Sequence, residues 1–267
     1  MILNSKYNFL KPYKVNKLKR YGRKFDGGYL VCEDAIKNIN NCITLGVGDD
    51  ISFEIDLEKN KKLSKVYLFD YTVNHFLFIR IILKYLRRFI TLRSSLQPLL
   101  FSIKNYIQFI NFLNKENVFF HKKKVVNKIR SKLDINLEKI FSEINNKNNL
   151  LKIDIEGGEY LIIKDILKNS KKLSIIVIEF HWIKKNKKKF ENSVKKLQTK
   201  FDIVHIHVNN YKPIDVKDDF FDVVELTLVN KINNKFKSKF RYNFPIKNLD
   251  FDCFPNHKTI KFSFAKK

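Results

Sequence analysis

Seven short apolar runs divide the chain, and the stretches between them place their apolar residues at helical spacing. The runs fall at 41–46 (NCITLG), 65–71 (KVYLFDY), 117–126, 150–155 (LLKIDI), 173–182 (LSIIVIEFHW), 201–208 (FDIVHIHV) and 223–230 (VVELTLVN). Each has the length and β-branched or aromatic content of a strand. Helical patterns are predicted over 50–59, 74–114, 159–168 and the lysine-rich 184–200. Strands alternating with helices predict an open, mostly parallel α/β sheet. The run 173–182 is the most β-branched and is expected to be a central strand covered on both faces.

A chain of 267 residues allows one or two domains, and no repeat or low-complexity linker divides it. The expected organisation is an N-terminal appendage over 1–40 and a domain over 41–267, with a helical insertion at about 74–114. With 44% hydrophobic and 14% aromatic residues the chain can bury a sizeable core, which excludes disorder and coiled coil for most of it. No apolar run reaches the ~18 residues of a spanning helix, because 76–92 is interrupted by Arg80, Lys84, Arg87 and Arg88. The start shows no secretory pattern, and Cys32, Cys42 and Cys253 have neither metal-ligand spacing nor an even count. A cytoplasmic protein without a transmembrane segment is expected.

Charge changes this picture little. The 53 Lys and Arg against 27 Asp and Glu give +26, which would attract polyanions. The lysines are nevertheless spread along the chain among abundant Asn, Ile and Phe, as AT-rich coding would also produce.

Glycine is more informative because it is scarce. All seven glycines fall in three clusters: Gly22 with Gly27 and Gly28, Gly46 with Gly48, and Gly157 with Gly158. In the first strand-to-helix turn, Leu45-Gly46-Val47-Gly48-Asp49-Asp50, glycine permits a tight bend under a ligand, and the helix start offers free N–H groups. The dinucleotide fingerprint is incomplete, and Asp49 and Asp50 suit a pyrophosphate poorly. They suit a cationic ligand without phosphate, such as S-adenosylmethionine. Asp70, ending the second strand, is then placed to take both hydroxyls of a ribose.

Further acids and histidines lie at later strand ends. Period-2 alternation puts Asp154 and Glu156 on one face, at the carboxyl end where open α/β sheets bind ligands. They are candidates to hold the cofactor's cationic end or to accept a substrate proton. Glu179 and His181 share a parity, as do His205, His207 and Asn209. These are open to reading as a metal site or as a hydrogen-bonded seam; no standard zinc spacing is present, and no metal is expected.

Five stretches together resemble the FkbM-like group of S-adenosylmethionine-dependent methyltransferases: YGRKFDGGY (21–29), LGVGDDISF (45–53), Phe69-Asp70, LKIDIEGGEY (151–160), and HIHVNNY (205–211) with VELTLV (224–229). Phe254-Pro255-Asn256 also fits. The resemblance spans about residues 20–256, and LKIDIEGGEY is its most specific motif. It implies a Rossmann-like class I fold with a seven-stranded sheet, last strand antiparallel and helices on both faces. It also implies methyl transfer from S-adenosylmethionine to a hydroxyl. Carried over by position, Gly46, Val47, Gly48 and Asp49 line the methionine part, Asp70 takes the ribose, and Asp154 and Glu156 lie where donor and acceptor meet. Two departures are Tyr71-Thr72 in place of a proline after the acid, and the enlarged 74–114 stretch.

The expected reaction is in-line displacement at the sulfonium methyl, with alignment and water exclusion as the protein's main tasks. Asp154, His205 and His181 are the candidate bases. Arg23, Asp26, Gly27 and Gly28, with His207, Asn209 and Asn210, are candidates to close over the cofactor or orient the acceptor. The acceptor is expected to be a sugar, glycan or other small metabolite. The alternatives are methylation of RNA or another polyanion, and a non-catalytic basic protein making peripheral contact with anionic membrane.

Overall fold

A computed structural model describes residues 1–144, 146–211, 220–232 and 239–265. Its centre is a seven-stranded sheet of β1 (Asn41–Leu45), β2 (Lys65–Phe69), β3 (Val118–His121), β4 (Asn149–Ile153), β5 (Leu173–Phe180), β6 (Phe201–Val208) and β7 (Val224–Asn230). The strand order is β6-β7-β5-β4-β1-β2-β3. Strands β1 to β5 pair in parallel, whereas β7 runs antiparallel to both β5 and β6. This is the mostly parallel sheet with an antiparallel last strand that the resemblance implies. Every residue of β1, β4 and β5 is buried, as continuous apolar runs covered on both faces require.

Two apolar layers sandwich the sheet. On one face α4 (Leu137–Glu143), α5 (Glu159–Lys168) and α6 (Lys187–Leu197) turn in Ile140, Phe141, Ile162, Ile166, Phe190 and Val194. On the other face lie α1 (Ser52–Lys61) and the hairpin Leu18–Tyr21/Tyr29–Cys32. The same face receives the inner sides of α2 (His75–Ile90) and α3 (Leu96–Leu113) through Phe78, Phe109 and Phe112. The first residues pack with the last: Ile2–Leu3 pairs with Phe262–Phe264, which pairs in turn with Asn243–Phe244.

Two predicted elements differ in detail. The single helical stretch over 74–114 is two helices, because Leu92 adopts φ 55 and no α-helix of L-residues continues through a left-handed residue. Asn74 caps the first by accepting from the Leu77 N–H. The strand predicted over 117–126 stops at His121, and Lys124–Val125 pairs separately with Asp134–Ile135. The helix at 159–168 lies where its periodicity put it.

Candidate active site at the carboxyl ends of the strands

The glycine loop is built around Asp70. One carboxylate oxygen accepts from the N–H groups of Val47 (2.8 Å) and Gly48 (3.0 Å), and the other from the Thr72 N–H, the Thr72 hydroxyl and the Val73 N–H. Five donors saturate the about four lone pairs of a carboxylate. In this arrangement Asp70 clamps the loop. Burial pushes its carboxyl up, but the Thr72 hydroxyl and the Gly48, Val47 and Thr72 N–H groups outweigh it and hold Asp70 below the ordinary range.

A stability prediction follows for Asp70→Asn. The amide would set an NH₂ against backbone donors, at a cost of about 1.5–3 kcal/mol at pH 7 in denaturant unfolding. A depressed carboxyl stabilises above its unfolded value and loses this contribution as pH falls through its folded value. The deficit of the variant should therefore shrink below about pH 4.

Gly46 and Gly48 serve different ends. Gly46 (φ 80) lies where β1 and β4 converge, and a Cβ there would stand 1.7 Å from the Asp154 carbonyl oxygen. Gly48 (φ 60) has nothing within 4 Å of the same position, so its open side admits a ligand against the backbone. Asp49 is exposed beside it, and its carbonyl accepts from Asn105 of α3.

Next to this loop, a cavity of about 350 Å³ opens beyond β4, β5, β6 and β7. Asp26, Asp154, Glu156, Glu179 and Asp222 line it, with His181, Lys184, Asn209 and the rings of Trp182 and Phe254. Five of the 27 acidic residues of this basic chain thus line one cavity. His181 is at its centre. Its Nε2 lies 3.6 Å from Asp154, 3.8 Å from Glu156 and 3.6 Å from Glu179, while its Nδ1 meets the buried Glu159 at 2.8 Å. Burial lowers the His181 pKa, but the hydrogen bond and charge of Glu159, then Asp154 and Glu156, outweigh it and raise it. His181 thus sits among carboxyl groups that favour its charged form.

Asp154 has the opposite character. Burial, helped by Glu156 and Asp26 and opposed by His181 and Lys152, pushes its carboxyl up to about 6. A carboxylate so raised is ionised near neutrality yet basic enough to take a proton. Burial, with Asp154, Glu225 and Asp26 close by, pushes the Glu179 carboxyl well above the ordinary range. Strain marks the same rim, where Glu156 (φ 51) and Trp182 (φ 56) are both left-handed without being glycine.

Other expected residues lie elsewhere. His205 does not line the cavity; it is buried with Nε2 3.0 Å from Asp250, which corrects its candidacy as base. His207 is buried between Asp250 (3.5 Å) and the Cys253 thiol (3.6 Å), and Asn210 bonds Phe254 across its backbone. Arg23 is bound to Asp50 at 2.6 Å, lies over the Phe101 ring and donates its N–H to the Ser52 hydroxyl, so it fastens the hairpin turn to the start of α1, while Gly27 packs against Asp50 and Gly28 against Arg20 and Arg23. Of that turn only Asp26 reaches the cavity. Asn209 reaches it too, donating to Glu179 at 3.3 Å.

Among the described residues, two sets of side chains bring donor atoms within 4.8 Å of one another, close enough to share a cation: Asp154, Glu156 and His181, and His207, Glu225 and Cys253.

One pair escaped the sequence reading. Lys152, directly beneath Asp154, is buried and reaches Glu54 at 3.2 Å, while Thr44 donates to the same oxygen at 2.7 Å. The Lys152 ammonium also lies over the rings of Tyr29 and Phe53. Its signal was a lysine inside the apolar run LLKIDI, on the parity of Asp154. Trp182, the single tryptophan of the chain, was missed as well.

No curated protein matches the chain in sequence. Among solved structures, the chain is similar to the fibrillarin pre-rRNA processing protein of Methanococcus jannaschii, at 16% identity and a TM-score of 0.39, over 73% of this chain and 68% of that one. It is similar to precorrin-6y C5,15-methyltransferase of Geobacter metallireducens at 13% identity and TM-score 0.36, over 73% and 82%. A dimethyladenosine transferase of Plasmodium falciparum gives 12% and 0.38, over 74% and 61%. The sequence pattern of the methyltransferase FkbM domain matches residues 15–213, well over half of the chain, and the protein therefore belongs to the FkbM methyltransferase family.

Proposed function

We propose that the protein transfers a methyl group from S-adenosylmethionine to a hydroxyl of an uncharged, hydroxyl-rich small molecule, a sugar or glycan in the first place. The acidic cavity carries this reading. Five acidic side chains line it against His181 and Lys184, a lining that suits a phosphodiester backbone poorly, whereas sugar hydroxyls find hydrogen-bonding partners there.

The residues present fit the cofactor. The open side of Gly48 allows close approach, and Asp49 and Asp154 would face its cationic end. The cofactor supplies an electrophilic methyl on a sulfonium, an already activated donor. The protein's remaining work is to hold the acceptor oxygen in line and remove its proton. Asp154 accepts that proton as the oxygen–methyl bond forms and the sulfur–methyl bond breaks. His181, fixed by Glu159, positions Asp154, and Glu179, whose burial favours its protonated form, would donate to a second acceptor hydroxyl. Trp182 and Phe254 give apolar walls against which a sugar ring face can lie.

The competing reading, RNA methylation, draws on the net charge of the surface. The two separate in one assay, in which labelled methyl transfer from S-adenosylmethionine is measured on neutral glycosides and on RNA at low and high salt. Transfer to glycosides that persists at high salt is expected. Transfer to RNA alone, falling steeply with salt, would replace this reading with the polyanion one.

A further inference from the structure

The helical hairpin between β2 and β3 leaves a large apolar surface uncovered. Of the sixteen residues of α2 only Phe78 is buried. Phe76, Ile79, Leu83, Leu86 and Ile90 recur at intervals of three and four, which places them on one stripe, and all are exposed, Phe76 to 76% and Ile90 to 69%. Leu96, Leu100, Ile103 and Ile107 repeat the pattern on α3, also exposed. At the tip between the helices Leu92 is 93% exposed.

The charge around these stripes has one sign. Residues 71–114 contain no aspartate or glutamate, against Arg80, Lys84, Arg87, Arg88, Arg93 and Lys104. Arg80, Lys84 and Arg87 each follow a stripe residue, so they flank it along one side. Apolar side chains on one stripe with basic groups beside them suit a helix lying in the headgroup region of a bilayer. A second copy of this chain suits the surface less, since it would set these cations against one another. Among the described residues no helix is long and apolar enough to cross a membrane, so the hairpin is placed to lie on a surface rather than span it.

We infer that the hairpin of α2 and α3 docks the protein on anionic lipid membrane. Docking there reaches the active end of the sheet, because Asn105 of α3 holds the Asp49 carbonyl and Phe101 carries Arg23. The inference does not depend on the nature of the methyl acceptor.

The full-length protein should float with vesicles of phosphatidylcholine plus phosphatidylglycerol at low salt, and far less with phosphatidylcholine alone. The triple variant Ile79→Ser, Leu83→Ser, Leu86→Ser should lower partitioning by more than about tenfold. Its melting temperature should stay close to that of the parent, because these side chains are exposed. Arg80→Gln with Lys84→Gln and Arg87→Gln should abolish the preference for anionic vesicles. Absence of flotation with anionic vesicles, or equal flotation of the triple serine variant, would overturn the inference. So would light scattering that shows a dimer which the serine variant dissociates, because the stripe would then belong to a second copy.

Discussion

Asp154→Asn is expected to reduce methyl transfer by about 10²–10⁴-fold, the ordinary worth of a positioned proton acceptor. The substitution keeps the shape of the side chain and removes only its basicity. In the parent protein the rate should climb with pH through about 6, where burial has moved the Asp154 carboxyl, and then level off. The variant should lack that rising limb, and cofactor binding should survive. Stability separates this from a structural defect. A carboxyl raised above its unfolded value binds its proton more tightly when folded, so its contribution declines as pH rises from about 4 to 6. Near pH 7 the ionised group therefore weakens the fold, and the asparagine variant should unfold no more readily than the parent. Near-normal turnover in Asp154→Asn would remove the base from this position.

Lys152→Met should cost about 3–5 kcal/mol in denaturant unfolding, because it strands the buried Glu54 carboxylate without its cation. Burial opposes the charge on Lys152, but Glu54, Asp154 and Asp50 overcome it and raise its pKa above the ordinary lysine value. A raised lysine stabilises fully below its unfolded pKa and loses that contribution only as pH climbs through the folded value. The deficit should then be constant across neutral pH. Pairing Lys152→Met with Glu54→Gln should return a large part of the loss, since the stranded charge is gone. A loss below about 1 kcal/mol, as for an exposed pair, would show that the buried ion pair contributes little.

The two residues also show how the site is layered. Asp154 and Lys152 stand two positions apart on the same side of β4, one at the mouth and one within the core. The lysine opposes the rise of the Asp154 carboxyl, so the structural pair and the proposed proton acceptor are electrostatically linked.

The sheet was legible in the chain because its strands are apolar runs of limited length, and parallel strands covered on both faces leave that mark directly. The glycine loop was legible for a related reason: in a chain with few glycines, those kept mark backbone that no side chain can follow. LKIDIEGGEY carried the family likeness and also supplied the acids that the structure brings to the cavity. Strand parity put Glu179 and His181 on one side of β5, and the structure brings them within 3.6 Å of each other.

Periodicity could not show what a side chain meets across space. His205 and His181 look alike in sequence, each alternating with polar neighbours near a strand end. Only the packing of the segment around Asp250 against β6 decides that His205 is buried there, while the Glu159 carboxylate at 2.8 Å favours the charged form of His181. Only the folded loop brings its N–H groups onto Asp70. The sequence by itself determined the strand and helix order, the glycine turns, and the acids that end β4, since these follow from local spacing and backbone permission. The tertiary structure alone decided which groups meet, which are buried, and that five acids from distant parts of a basic chain line one cavity. Those outcomes depend on distances between residues far apart in the chain, and on the loss of water around them.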